Sequence, residues 1–289
     1  MSFPEPETVC LTRSDARYPR ELDALATSAP EALWARGRLE TLDARPRVAI
    51  VGTRRCTAYG RRVTHELATG LARAGACIVS GMAIGVDSFA HLAALEVRGA
   101  TIAVLGTGLD AVYPHAARGL QRSIMEAGLL LTELDALEHG TRFTFPQRNR
   151  IIAALAQLTI VVEAGLPSGA LITAEYAADL GRDLAAIPGP IDQPQSAGAN
   201  RLIQQGAQII TSVEDALALV GLTPAPRTPR EDASMEEQLI WRALADGPLD
   251  MDALCHRSGL PAAQCMAAVS LLEIAGSVEC ALTGEIRRR

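Results

Sequence analysis

The sequence predicts an α/β fold: a doubly wound, mostly parallel sheet followed by a small winged-helix domain. Three observations carry this expectation. Between Arg47 and Val220, short β-branched runs alternate with longer helical patterns, as in parallel strands joined by crossover helices. Most of those runs end in Gly or Ser, which suits tight strand-to-helix turns. Beyond a proline-bearing stretch, Met235 to Arg289 shows three helical patterns and a short hairpin around Thr283 and Gly284, the outline of a winged helix-turn-helix.

Taken in order, residues 1–46 place Tyr18, Pro19, Leu22, Leu25 and Trp34 in a helical but unrepetitive pattern. That is too little for an independent core, so a short N-terminal helical segment or subdomain is expected. Residues 47–220 form the main domain, with strands at 47–52, 76–80, 101–106, 129–133, 159–163, 184–187 and 208–211. Helices fall between them. At 58–74, Val63, Leu67 and Leu71 recur every fourth residue, the stripe needed to cover a sheet face, and 170–181 and 200–206 read similarly. Residues 221–234, with Pro224, Pro226 and Pro229, read as a linker, and 235–289 as the winged-helix domain.

Composition narrows the function classes. The 289 residues are 48% hydrophobic and 21% charged, the balance of a globular chain with a sizeable core. The net charge of −6 means that any nucleic-acid site is a local patch. All 27 basic residues are arginine, which excludes Schiff-base chemistry and a P-loop lysine. Six scattered cysteines, with no CxxC pair, read as free thiols of a reducing cytosol, and no metal site or cofactor is called for. The start MSFPEPETVC lacks a signal-peptide pattern, and the apolar stretch at 151–162 is too short to span a bilayer. A cytoplasmic protein without a membrane partner is expected.

In an open parallel sheet, ligands bind at the carboxyl ends of the strands. Gly52, Thr53 and Arg54 follow the first strand, and Ser80, Gly81, Gly85 and Asp87 follow the second. Gly106, Thr107, Gly108 and Asp110 follow the third, with Tyr113 and Pro114 beyond, and the fifth leads to Ser168, Gly169 and Ala170 at a helix start. Glycines let a phosphate approach the backbone, and helix N-termini offer unpaired N–H donors. Four such loops on one edge point to a phosphate-bearing ligand, although each alone is also explained as a tight turn. The first loop lacks the GxGxxG spacing of a dinucleotide site.

The segment FTFPQRNRIIA at 143–153 gathers Phe143, Phe145, Arg148, Asn149 and Arg150 in an aromatic-poor chain. Rings beside guanidinium groups stack unpaired bases and hold the phosphates between them. The alternative is an edge strand whose rings are core anchors. Asp87 and His91 share a helix face and suit acid/base work, but a helix cap with a packed histidine explains them more simply. Glu133 and Glu163 close their strands without an evident catalytic partner. The site looks built to bind.

These motifs resemble the DNA-processing protein A family (DprA, also called Smf). The resemblance rests on VAIVGTR at 48–54, SGMAIGVD at 80–87, TIAVLGTGLD at 101–110, FPQRNRIIA at 145–153, VVEAGLPSGALITA at 161–174, IPG at 187–189 and GANRLIQQGA at 198–207. It implies an extended Rossmann-like domain that binds single-stranded DNA as a homodimer and loads a RecA-type recombinase during natural transformation, without catalysing a reaction. Carried over by motif, Gly52, Thr53 and Arg54 belong to a phosphate pocket. Phe145, Arg148, Asn149 and Arg150 lie along the strand path, with Ser168, Gly169, Asn200 and Arg201 as neighbours. Position 53 is Thr where Ser is usual, and position 148 is Arg where Lys is also seen. The N-terminal region is shorter than in members with a separate helical domain.

The C-terminal module departs from a DNA reader. Its candidate recognition helix at 261–276 has no basic residue and one acidic one, Glu273, whereas groove-binding helices carry base-reading and phosphate-binding groups. Met266, Val269, Leu271 and Leu272 are expected in the core, with protein contact as the functional alternative, and Arg287, Arg288 and Arg289 as a solvated tail. The rival for the whole chain is a nucleoside-monophosphate phosphoribohydrolase of the lysine-decarboxylase-like family. Those enzymes carry PGGxGTxxE, where this chain reads PSGALITAE at 167–175.

Overall fold

The computed structural model describes residues 7–224, 233–281 and 284–288. The chain divides into two compact units, Met1–Pro224 and Ala225–Arg289. The first opens with β1 (Thr8–Thr12) and β2 (Ala32–Gly37), then alternates β3 (Arg47–Val51), α1 (Ala58–Arg73), β4 (Cys77–Ser80), α2 (Val86–Glu96), β5 (Thr101–Val104), α3 (Arg118–Ala127) and β6 (Leu129–Thr132). It continues through α4 (Thr144–Leu155), β7 (Leu158–Val161), α5 (Gly169–Asp179), β8 (Asp183–Ala186), α6 (Ala197–Gln204), β9 (Gln208–Ile209) and α7 (Val213–Leu219). All nine strands form one sheet in the order β1-β2-β6-β5-β4-β3-β7-β8-β9. Strands β3 to β9 are mutually parallel. The seven strands expected from the sequence all occur, within one to two residues at most ends.

Strand order reverses at β3. The chain winds from β3 out to β6, then returns through α4 to lay β7 on the other side of β3. Alternating side chains feed two layers of core. Ala49, Val51, Val79, Val104 and Val161 pack on the face that includes α4, α5 and α6. Val48, Ile50, Ile78 and Ile160 pack on the face covered by α1, α2 and α7. Burial on both faces is why these strands read as continuous apolar runs.

The N-terminal expectation is corrected. Residues 8–37 are not a helical segment apart from the main domain; β1 pairs with β2, and β2 pairs antiparallel with β6. Leu11, Leu22, Leu33 and Tyr18 are buried in the same core as the parallel strands. Among the described residues before β3, the helical turns are 3-10 turns at Arg20–Ser28 and Leu39–Asp43. Leu11 and Leu33 gain a hydrophobic contact only through sheet pairing, which no local helical spacing discloses.

The second unit contains α8 (Met235–Ala243), α9 (Met251–Ser258), α10 (Ala262–Ile274), β10 (Val278–Cys280) and β11 (Ile286–Arg288). The two strands pair antiparallel, and Leu249 bridges to Ile286, giving the helix and wing order of a winged helix. Ile240, Leu254, Val269 and Leu272 form its core. Met266 and Leu271, expected there, are instead exposed on α10. Arg287 and Arg288 lie on β11 rather than in a tail: Arg287 is exposed, as expected, and pairs with Glu279 at 3.3 Å, while Arg288 is partly buried 4.3 Å over the Trp241 ring. Pro226, Pro229, Thr283 and Arg289 lie outside the described residues. No described helix is long and apolar enough to cross a membrane.

Candidate functional site

The reversal of strand order leaves a crevice at the carboxyl ends of β3 and β7, as expected for a doubly wound sheet. A cavity of about 720 Å³ opens there. Its floor is Val51 and Gly52, one wall is Ser168, Gly169 and Thr173 of the α5 start, and the other is Phe145, Arg148 and Asn149 of α4. The segment around Phe145 is thus helical, not an edge strand.

The loop after β3 is pinned at both ends by one residue. Glu163 accepts from Thr53 N–H through its backbone carbonyl at 2.7 Å. Its carboxylate accepts from Thr57 N–H at 2.9 Å and from the Thr57 hydroxyl at 2.5 Å. Thr57 in turn caps the start of α1 through Gly60 N–H. The residues between are thereby held outward: Arg54 and Arg55 are exposed, and neither forms an ion pair among the described residues. Arg54 lies 5.9 Å from the centre of the Phe145 ring. Opposite, the Ser168 hydroxyl caps α5 by accepting from Ala170 N–H at 3.3 Å, so the positive end of that helix faces the crevice.

Arg148 sits behind this loop, 5% exposed. It donates to the carbonyls of Gly81, at 2.7 Å, and Val104. Asp87 accepts from Gly81 N–H at 3.1 Å, so Arg148 and Asp87 hold the two ends of residue 81. A Cβ on Gly81 would lie 2.5 Å from the guanidinium, so a side chain there would have to displace Arg148. Burial lowers the Arg148 pKa to about 10, offset by Asp87, so it stays charged at neutral pH. Burial raises the Asp87 pKa, and Arg148 opposes the rise. His91, next on that helix face, meets Thr101 Oγ1 at 2.7 Å, and burial takes its pKa down to about 3.

Arg150 is placed elsewhere. It forms a two-pronged pair with Glu133, both contacts 2.6 Å, and donates to Ser28 O at 2.9 Å, tying α4 to the N-terminal segment. An arginine whose fork is spent on a partly buried carboxylate has none left for a phosphate. Asn200 likewise bridges both backbone groups of Gly189, at 2.9 and 3.1 Å. Neither it nor Arg201 lines the crevice. Ser80 is buried and donates to Ile50 O at 2.6 Å. Gly85 and Gly108 serve loop packing, and Gly106 seats Phe145: a Cβ there would lie 2.6 Å from the ring's Cδ1. Phe143 is exposed, with Arg142 4.7 Å over its ring.

The structure therefore brings together Gly52, Thr53, Arg54, Phe145, Arg148, Asn149, Ser168 and Gly169. Arg55, Arg142 and Thr173 also line the crevice, beyond the residues the sequence pattern assigned to it. Arg142 beside Phe143 was a legible signal, the same interleaving of cation and ring. Among the carboxylates considered as catalytic, Asp87, Glu133 and Glu163 are each committed to hydrogen bonds that hold loops or helices. Glu175 is exposed on α5 and does not line the crevice.

Fold and site define an α/β protein of the Rossmann type whose crevice lies at the point of strand-order reversal, joined to a winged helix. The comparisons give this class a family. Residues 9–221 match the family model of DNA recombination-mediator protein A, and residues 223–281 match that of the DprA winged helix domain. The chain belongs to the DNA recombination-mediator protein A family. It is 46% identical over 204 residues to the DNA processing protein DprA of Streptococcus pneumoniae, covering 71% of each chain. It is 36% identical over 283 residues to protein Smf of Escherichia coli, covering 94% of this chain and 75% of that one. The solved structure of the S. pneumoniae protein superposes with a TM-score of 0.70 at 44% identity, covering 73% of this chain and 74% of the other. A structure of DNA processing protein A from Helicobacter pylori, described for its single-stranded DNA binding mode, superposes with a TM-score of 0.66 at 33% identity, covering 73% and 94%.

Proposed function

We propose that this chain binds single-stranded DNA in the crevice at the carboxyl edge of the sheet. There it acts as a non-enzymatic, cytoplasmic recombination mediator, a homodimer that loads a RecA-type recombinase during natural transformation. The observation that carries the binding reading is the pairing of open cations with a fixed ring. Arg54 and Arg55 project from a pinned loop without an ion pair among the described residues, beside Phe145 and the amino end of α5. Arg54 takes a phosphate through its fork, and backbone N–H groups near Gly52 and Gly169 hold it from behind. Rings stack only on bases that are unpaired, which favours a single strand over a duplex. The H. pylori relative's single-stranded DNA binding adds support by kinship. The recombinase and dimer parts of the proposal rest on family membership.

The test is fluorescence anisotropy of a labelled strand of ~35 nucleotides and its duplex across a salt series, where counterion release makes affinity fall log-linearly with salt. Arg54→Ala is the informative variant, because Arg148 and Arg150 are built into the fold. Single-strand preference weakened about tenfold by Arg54→Ala supports the reading, a charge-assisted bond being worth about 1.5–3 kcal/mol. Equal binding by wild type and variant sinks the site, and no binding at low salt sinks the function.

A further inference from the structure

A second, smaller cavity adjoins the crevice. Its volume is about 50 Å³, and its lining shares Arg54, Tyr113, Phe145 and Arg148 with the larger one. The loop after β4 contributes Met82 and Ile84, and the loop after β5 contributes Tyr113 and Pro114. Two large side chains stand half exposed around it, Ile84 at 53% and Tyr113 at 51%. Phe145, seated against Gly106, cannot retreat. The Tyr113 ring lies 5.1 Å from it, tilted by 40°.

We propose that this cavity is a nucleobase subsite, in which one unpaired base stacks on Tyr113 against Ile84 while Arg54 holds the adjoining phosphate. The inference rests on the single-strand reading above and assigns the base-contacting residue within it. The ligand that suits this place has a flat apolar face joined to an anion. The half-exposed ring and aliphatic chain fit the face, and Arg54, shared by both cavities, fits the anion. The cavity is too small to enclose a base, so the base lies at its mouth with one face on Tyr113. The subsite does not read sequence. Arg148 is buried and directs Nη1 to the carbonyls of Gly81 and Val104 and Nε to the Asn149 side chain, and in this reading Arg54 faces the phosphate. Stacking without edge contacts tolerates every base.

The experiment compares binding of the full chain to a labelled oligothymidylate and to a matched strand carrying abasic residues, and follows the fluorescence of a strand containing 2-aminopurine. Wild type prefers the base-bearing strand and quenches 2-aminopurine. Tyr113→Ala weakens binding of the base-bearing strand about tenfold, within the range of a lost base stack. It leaves the abasic strand nearly unaffected and abolishes the quenching, while Tyr113→Trp retains both. Wild-type affinity and full quenching in Tyr113→Ala overturn the subsite and leave the single-strand reading standing. Failure of wild type to bind either strand removes both together.

Discussion

Two pairs of arginines, close in function by sequence, have opposite fates in the fold. Arg54 and Arg55 stand in a loop whose ends Glu163 holds down, and both face solvent. Arg148 and Arg150 stand on α4, and both are buried, one on the carbonyls of Gly81 and Val104 and the other on Glu133. Charge in a sequence is therefore not the same as charge available to a ligand. A cation already paired inside the protein stabilises the site's frame, while a cation without an ion pair stays open to solvent and to an anionic ligand. The difference is decided by which carboxylate or carbonyl the fold brings within hydrogen-bond range.

The largest effect that tests this contrast is on stability. Arg150→Ala strands the Glu133 carboxylate, whose side chain is 16% exposed, and breaking such a pair costs about 3–5 kcal/mol. Urea unfolding reads this directly, and a loss below about 1 kcal/mol would mean that Arg150 is as free as Arg54.

The next effect is in pH. His91, buried on α2, has its pKa held at about 3 against 6.5 for the ordinary group. The unfolded chain takes up that proton first, so stability is full above pH 6.5 and is lost as pH falls toward 3. At 1.36 kcal/mol per unit the loss reaches about 2 kcal/mol by pH 5. Asp87, raised by burial, works in the opposite sense. His91→Gln should flatten the stability profile between pH 5 and 6.5; an unchanged slope would place the titration elsewhere.

The smallest expected effect on the fold belongs to the residue that the proposed function places on the ligand. Arg54→Ala should leave stability within about 0.5 kcal/mol, as for an exposed substitution. Its affinity for the single strand should fall about tenfold, and the slope of log affinity against log salt should shrink by about one. A variant that unfolds instead would show that the two arginine pairs are not distinct after all.

Much of this could be seen in the residues themselves. The β-branched runs from Arg47 onward and the Gly or Ser closing each gave all seven parallel strands, because burial on both faces demands continuous apolar sequence. The loops at Gly52, Gly81 and Ser168 were legible because carboxyl-edge turns need small residues. The N-terminal strands were not: β2 is a strand because it lies between β1 and β6, and helical spacing at Leu22 and Leu25 gave the opposite impression. The same holds on α10, where Val269 and Leu272 are buried but Met266 and Leu271 are not, since one apolar helix leaves open which of its faces is covered.

The sequence by itself determined the parallel core, the winged-helix appendage and the small-residue loops of the sheet edge where the crevice opens, because these follow from local periodicity and turn chemistry. Only the tertiary structure decided that Arg150 belongs to Glu133, that Arg148 supports Gly81, and that Tyr113 meets Phe145. Those pairings join residues 17, 67 and 32 positions apart. Hydrogen bonds and ring contacts act over a few ångströms, and a linear pattern does not state which distant groups the fold will bring that close.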